Sequence, residues 1–329
     1  METEKHINII INERKGNVKK MTKKLTCLVL ALILAVSCFS MVSFAAVGEK
    51  IPFENSEFFT VGDYSVHYRI YGERSARPGV MLLHGFGLST ASFEGLAEEY
   101  ADNGYFVVTV DIPNFGYSSR ETSETELQSR EDVVYALMTE LGGRWIVGGH
   151  SMGGGIAINV ATDHPQDIAG LVLFAPQTSV QASSVMSRLM KNRLVLRIFN
   201  SLFKVGTSLP FVFTPMVEMS FSDREYAKKY DVSRISTPLK IDGTGAGIAM
   251  MTSHTRGTDF EKFSALNIPV VIITSENDRV ANADNLSAIL AAAPEGSEHF
   301  TVKAGGHMMM EYNSSESAAL TLPVMAKCA

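Results

Sequence analysis

Cysteine is scarce in this sequence, and its placement excludes an internal disulfide in the body of the chain. Only three cysteines occur among 329 residues. Cys27 and Cys38 lie in an N-terminal apolar segment, which leaves Cys328 alone near the other end. A single thiol without a thiolate-stabilising neighbour is typical of an incidental residue, not a catalytic one. No Cys/His cluster and no H-E-x-x-H motif occur, so the sequence indicates neither a metal nor a cofactor.

In the body of the chain, residues 46–329, acidic residues outnumber basic ones. Outside residues 1–45 the chain contains 22 basic and 32 acidic side chains. Because an acidic surface repels phosphate backbones, we expect no nucleic-acid partner. The body has no internal repeats or low-complexity segment, and its length is sufficient for one large core with an insertion.

Residues 1–45 have the pattern of an export leader. Four lysines between positions 19 and 24 precede an uncharged, mostly apolar run from Leu25 to Val47. Ser43 and Ala45 are the small residues expected before a cleavage at Ala46. One alternative is an uncleaved membrane anchor, because the run approaches the length of a bilayer span. A third option is lipid attachment at Cys38, for which the preceding Ala35-Val36-Ser37 is a poor context. We therefore expect an exported protein, which associates with the membrane if this segment is retained.

After the leader, short apolar runs bounded by glycine or proline alternate with helical patterns. This alternation predicts βαβ units and a mainly parallel sheet with helices on both faces. The predicted strands are Tyr64–Tyr71, Gly79–Leu83, Tyr105–Val110, Arg144–Val147, Gly170–Phe174, Pro269–Thr274 and His299–Val302. The clearest predicted helices are Ala91–Asn103, Glu131–Leu141, Met152–Asp163, Ala283–Ala292 and Glu316–Met325.

Residues 177–262 interrupt the alternation, since a connection between neighbouring elements normally has roughly 2–6 residues. Helical patterns at Ser184–Phe203 and Asp223–Tyr230 indicate a lid over the carboxyl ends of the strands. The alternative is a second domain unrelated to the site. The glycine-rich run Gly243–Gly247 follows no strand, so we interpret it as a hinge or turn and not as a nucleotide loop.

The strongest motif is Gly149-His150-Ser151-Met152-Gly153, which joins a predicted strand to a predicted helix. That context is typical of a nucleophile elbow, in which the glycines make room for a tight turn that exposes the serine hydroxyl. The helix that follows directs its amino end at the place where an oxyanion would form. The alternative is that Ser151 only caps this helix.

A serine hydroxyl needs a base, and in this chain order the base comes last. His307 follows the final predicted strand, and Gly305 and Gly306 let its loop turn over the strand ends. The acid that orients a catalytic histidine is expected after the penultimate strand. Asp278 is our choice because it lies deeper in that loop, and Glu276 is the fallback.

An oxyanion hole needs two backbone N–H groups. One is expected from Met152, the residue after the nucleophile. The other is expected from Phe86 in the turn His84-Gly85-Phe86-Gly87, where the glycines allow close approach. His84 itself is interpreted as a buried orienting residue.

Together with Asp111, Gly116 and Ser118, these motifs resemble the serine α/β-hydrolase superfamily in its capped, lipase- and esterase-like branch. The resemblance covers residues from about 60 to 327. It implies a mostly parallel eight-stranded sheet formed by 46–176 and 263–329, with a helical cap, 177–262, inserted after strand six. Relatives commonly have a basic, glycine-rich turn after the fourth strand, whereas this chain has Asp111–Gly116.

We therefore expect hydrolysis of a small carboxylic ester or thioester through an acyl-enzyme. The insertion has apolar residues that suggest an apolar acyl group or, equally, ordinary packing: Met186, Leu189, Met190, Leu194, Leu196, Phe199, Leu202 and Phe203. A peptidase, or a cofactor-free haloperoxidase or carbon–carbon hydrolase, would use the same triad. A ligand-binding receptor with a silent triad is the alternative from another class.

Overall fold

The computed structural model describes residues 51–62, 64–121, 129–178, 192–251 and 256–328. The predicted leader, 1–45, and the first part of the predicted helix Ser184–Phe203 lie outside the described residues. Within the described ranges, an eight-stranded sheet forms the centre of the molecule.

The sheet has the strand order β1-β2-β4-β3-β5-β6-β7-β8. β1 pairs antiparallel with β2 and β2 antiparallel with β4, whereas all other neighbours from β4 to β8 are parallel. The mostly parallel, eight-stranded α/β sheet is therefore confirmed. The strands are β1 Ser56–Val61, β2 Tyr64–Tyr71, β3 Gly79–Leu83, β4 Val107–Val110, β5 Trp145–His150, β6 Ile168–Phe174, β7 Val270–Ser275 and β8 Glu298–Val302.

The helices alternate with the parallel strands. They are α1 Glu94–Asp102, α2 Arg130–Leu141, α3 Met152–Asp163, α4 Arg193–Thr207, α5 Pro210–Ser220, α6 Arg224–Lys229, α7 Ser233–Leu239, α8 Thr244–Met251, α9 Phe260–Ser264, α10 Ala283–Ala291, α11 Met309–Tyr312 and α12 Ser314–Met325. Short 3-10 turns cover Thr90–Phe93, Gly306–Met308 and Ala326–Cys328. Helices α4 to α9 all lie between β6 and β7.

Two apolar layers cover the sheet, because strands buried on both faces alternate their side chains between them. Met81 and Leu83 of β3 join the layer that contains α2 and α3. Val80 and Leu82 join the opposite layer, with α1 and α12. This sandwich fixes the carboxyl ends of the strands, from which the loops of the candidate site emerge.

A buried carboxylate holds the loop after β4 in place. Asp111 accepts the backbone N–H of Thr90 at 2.6 Å and of Tyr117 at 2.8 Å, and lies 2.7 Å from Nδ1 of His67. Gly116 has φ 52°, and a Cβ there would overlap the Asp111 carboxyl group. Asp111 lies at the carboxyl end of β4, and its hydrogen bonds hold the loops that contain Thr90 and Tyr117 against that strand end.

The interpretation of Gly243–Gly247 as a hinge or turn is wrong for most of its length, since Thr244 begins the buried helix α8. The glycines serve close packing instead. An ideal Cβ on Gly245 would lie 2.7 Å from Phe203 Cβ, and one on Gly247 would overlap Asn114. Small residues at these positions let α8 lie directly against α4 and against the loop after β4.

The apolar residues predicted to face an acyl group divide into several sets. Phe203 lines a cavity beside Ser151, while Leu196 and Phe199 pack in a small cluster with residues of α8. Leu194 and Leu202 are exposed to solvent, and Met186, Leu189 and Met190 lie outside the described residues. Among the described helices, none is both long and apolar enough to cross a membrane.

Candidate active site

Ser151 occupies the turn between β5 and α3 in a conformation that few residues tolerate. Its φ is 51° and its ψ is −119°, so the backbone is strained as a nucleophile elbow requires. A Cβ on Gly149 would overlap the carbonyl of Gly153, and a Cβ on Gly153 would overlap that of Leu83. The Ser151 side chain makes no capping hydrogen bond to α3. The side-chain hydrogen bond that the helix-capping alternative requires is therefore absent.

His307 lies in the 3-10 turn that follows β8, and its ring contacts Asp278. His307 Nδ1 is 2.8 Å from Asp278 Oδ2, and both side chains are less than one-tenth exposed. Positive φ values of 92° at Gly305 and 61° at Gly306 turn the chain at this point. Glu276, the fallback acid, makes no recorded contact with the His307 ring among the described residues.

The Asp278 carboxylate is held from both sides. Its Oδ1 accepts the N–H groups of Val280 at 2.8 Å and Ala281 at 2.9 Å. Burial acts to raise the pKa of Asp278, but the hydrogen bond and charge of His307 and these two N–H groups outweigh it, so the pKa lies below its ordinary value. The carboxylate is thus ionised at neutral pH, as an orienting acid must be.

Ser151 and His307 both line one cavity of about 350 Å³. Among the hydrogen bonds between described residues, none joins Ser151 Oγ to the His307 ring. Nucleophile–base hydrogen bonds of this type commonly tighten only when substrate is bound. Because Nδ1 of His307 is engaged by Asp278, its Nε2 is the nitrogen left to accept a proton.

The turn after β3 runs alongside the nucleophile. An ideal Cβ on Gly85 would lie 2.6 Å from His150 Nδ1 and 3.3 Å from Ser151 Cβ, so a larger residue would displace the turn or the buried His150 ring. His84, fully buried, accepts the Ile112 N–H at Nε2 (3.0 Å) and donates from Nδ1 to the Gly85 carbonyl (2.7 Å). These two bonds fix a neutral ring that ties the turn to the loop after β4.

The predicted oxyanion-hole donors are the backbone N–H groups of Phe86 and Met152. Among the hydrogen bonds recorded for the described residues, none uses either group as a donor. Met152 begins α3, where the first N–H groups have no intrahelical acceptor. The Phe86 side chain is 51% exposed and lines the same cavity as Ser151.

His150 is a neighbour of the site that sequence reasoning missed. Its Nε2 donates to the His307 carbonyl at 2.9 Å, and the two rings are 4.6 Å apart. Burial, followed by the neighbouring His307, holds the pKa of His150 well below 6.5, so the ring is neutral. His150 therefore supports the His307 loop. Its place inside the pentapeptide was visible in the sequence, but the direction of its side chain was not.

The cavity is lined almost entirely by apolar side chains. No lysine, arginine or carboxylate occurs among its described lining residues, and Ser151, His150, His307, Thr207 and Ser220 supply the polar atoms. The apolar lining consists of Phe86, Leu88, Phe203, Val212, Phe213, Met216, Val217, Met219, Phe221, Ile235, Leu239, Ile248, Val280 and Met308, with Gly87 and Gly206. In the same described ranges no group of three metal-ligating side chains is found.

A partly buried charge network, also missed from the sequence, joins the inserted helices to the core. Glu311 of α11 accepts the Tyr230 hydroxyl at 2.9 Å and lies 3.4 Å from Nε of Arg234. Arg234 reaches Glu94 at 3.1 Å and donates to the Ala91 carbonyl at 2.6 Å. Burial raises the pKa of Glu311 to about 7, although Arg234 opposes the shift. Each of these contacts joins residues more than 75 positions apart in the chain, so no local pattern predicts them.

Comparisons with known proteins identify the family and the fold. A family model described as the alpha/beta hydrolase fold matches residues 78–314, and the chain belongs to that family. A proline iminopeptidase of Lactobacillus helveticus is 36% identical over 135 residues, which span 39% of this chain and 46% of the relative. A pimeloyl-[acyl-carrier protein] methyl ester esterase of Shewanella oneidensis is 31% identical over 112 residues, spanning 34% of this chain and 40% of the relative.

Each of these alignments spans less than half of the relative's length. Among solved structures, a thermophilic esterase from Thermogutta terrifontis superposes with a TM-score of 0.65 at 19% identity. That match covers 83% of this chain and 99% of the other. At this identity the likeness concerns the fold alone, and it confirms the α/β-hydrolase architecture.

Proposed function

We propose that this protein is a serine hydrolase that cleaves carboxylic esters or thioesters through an acyl-enzyme. One observation carries the proposal. The hydrogen-bonded pair of His307 and Asp278 and the strained turn at Ser151 open onto the same apolar cavity. Acyl transfer needs three groups: a serine hydroxyl that is not engaged in capping a helix, an oriented imidazole and an ionised carboxylate.

The proposed reaction uses these groups in sequence. Ser151 Oγ attacks the carbonyl carbon while His307 Nε2 takes its proton, and Asp278 stabilises the imidazolium that results. The N–H groups of Phe86 and Met152 hold the oxyanion of the tetrahedral intermediate. His307 then protonates the leaving alcohol or thiol. A water molecule, deprotonated by His307, hydrolyses the acyl-enzyme and releases the carboxylic acid.

The cavity favours an apolar acyl group. Its described lining has no carboxylate to receive the ammonium group of a peptide amino terminus, which makes it a poor aminopeptidase site. We propose that residues 177–262 act as the cap, because Phe203 of α4 and several residues of α5 form its walls. The region of the chain after β6 would then determine acyl-chain preference.

The test is a series of p-nitrophenyl esters from acetate to dodecanoate, assayed with the full chain. We expect kcat/KM to rise with acyl length to an optimum, and Ser151→Ala to lose at least about a thousandfold in kcat. Ser220→Ala is the matched control, since its hydroxyl lines the cavity but donates to the Met216 carbonyl. That variant should stay within a few-fold of the parent. Full ester hydrolysis by Ser151→Ala would refute the proposal.

A further inference from the structure

Helix α4 presents an apolar stripe to solvent. Leu194, Ile198, Leu202 and Val205, spaced at i, i+4, i+8 and i+11, are between 44% and 66% exposed. The opposite side of the helix is already packed, with Leu196 buried against residues of α8. The outward stripe therefore has no cover within the described part of the chain, and solvent exposure of so much apolar surface is typical of an interaction site.

The stripe continues to the rim of the cavity. Leu209 and Phe211, which follow α4, are 37% and 71% exposed, and Met216 and Met219 of α5 are about half exposed while lining the cavity. Phe86 lies at the same rim. The apolar surface thus runs from α4 to the rim of the cavity that Ser151 lines.

The charged residues of α4 itself have one sign, although Lys204 pairs with Asp242 at 3.5 Å. Every charged residue of α4 is basic, namely Arg193, Arg197 and Lys204. The whole insertion, 177–262, has twelve basic and seven acidic residues, whereas the rest of the body has ten basic and twenty-five acidic. No ion pair of Arg193 or Arg197 is recorded among the described residues. A basic, apolar face on an acidic protein is complementary to a surface that is anionic outside and apolar inside.

We propose that the outward face of α4, together with the first residues of α5, docks on an anionic lipid bilayer. An amphipathic helix with leucine and isoleucine on one side and only basic charges beside them binds in the plane of a membrane interface. Docking in this way directs the cavity rim at the lipid. The proposal is independent of the ester chemistry and of the predicted leader.

The experiment places a reporter on the stripe of the full-length chain. In Leu202→Trp, tryptophan emission should shift to shorter wavelength with vesicles of equimolar phosphatidylglycerol and phosphatidylcholine, and acyl-brominated lipid should quench it. The native Trp145 is fully buried and supplies a constant background. The control is Glu295→Trp. Glu295 is exposed and precedes β8, at the end of the strand opposite to His307, so this variant should show neither effect. Arg193→Gln and Arg197→Gln should each weaken binding about fivefold at low salt.

Three results would overturn the proposal. Vesicle binding without a shift or quenching of Leu202→Trp would assign attachment to the N-terminal segment. An emission shift without vesicles would show that a second copy or another segment of this chain covers the stripe. Dilution of the protein would reverse the shift in the first case and leave it unchanged in the second. Equal quenching by pure phosphatidylcholine vesicles would remove the role of anionic lipid.

Discussion

Nδ1 of His307 and Oδ2 of Asp278 lie 2.8 Å apart, although 28 residues separate them in the chain. Each is held by its own loop, His307 after β8 and Asp278 after β7. Because these strands are adjacent and parallel, their carboxyl ends bring the two loops together. The bond places the ring proton on Nδ1 and leaves Nε2 as the nitrogen that can accept a proton.

Replacing the acid should affect turnover more than folding. In Asp278→Asn the geometry is retained, but the amide cannot stabilise an imidazolium and favours the wrong tautomer, so we expect kcat to fall about 10³–10⁴-fold. The measurement is kcat on a p-nitrophenyl ester. Glu276→Gln is the control and should remain within about tenfold of the parent. A larger loss of kcat in Glu276→Gln than in Asp278→Asn would show that Glu276, and not Asp278, is the acid.

The close approach of Gly85 to the nucleophile gives a second prediction. A Cβ at this position would lie 2.6 Å from His150 Nδ1, so Gly85→Ala should push the turn and displace the Phe86 N–H from the oxyanion. We expect kcat to drop about a hundredfold with KM little changed, since the lost interaction acts mainly in the transition state. Gly257→Ala, where nothing lies within 4 Å, should behave as the parent. Unchanged kcat in Gly85→Ala would exclude Phe86 as a donor.

The buried Glu311 predicts a pH dependence of stability. Its pKa is raised from 4.5 to about 7 in the folded protein, so between these values the native state binds more protons than the unfolded state. The free energy of unfolding contributed by this group therefore falls as pH rises from about 4.5 to about 7. The groups facing it are Arg234, Glu94 and the hydroxyl groups of Tyr226 and Tyr230.

Urea unfolding at pH 5 and pH 7.5 measures this contribution. In Glu311→Gln the decline between the two pH values should be smaller than in the parent, whereas Glu295→Gln, at an exposed position, should leave it unchanged. Identical pH dependence in the parent and Glu311→Gln would show that Glu311 does not change its protonation over this range.

The sheet and the elbow could be predicted because they depend on local signals. Gly79–Leu83 and Met152–Asp163 were predicted with the bounds that the structure has, since a buried strand is an apolar run and the elbow is a short motif. β1 was missed because it is a partly exposed edge strand with a weak alternation. Edge strands of this kind depend on pairing with β2 more than on their own composition.

The missed parts of the site depend on long-range packing. The helix that begins at Thr244 depends on the close approach of α8 to Phe203 and Asn114. A glycine-rich run in the sequence does not reveal that approach. The contact of His150 with the His307 carbonyl and the Glu311–Arg234 network join distant segments through side-chain directions. A single sequence predicts which residue types follow each strand, but not which buried polar groups meet.

The most direct test of the central claim is covalent labelling of Ser151 by a fluorophosphonate. Intact mass spectrometry of the full chain should show one adduct, and peptide mapping should place it on Ser151. Ser151→Ala and His307→Ala should remain unlabelled under the same conditions, because the first lacks the nucleophile and the second lacks its base. No adduct on the parent chain, or an adduct on another residue, would contradict the account.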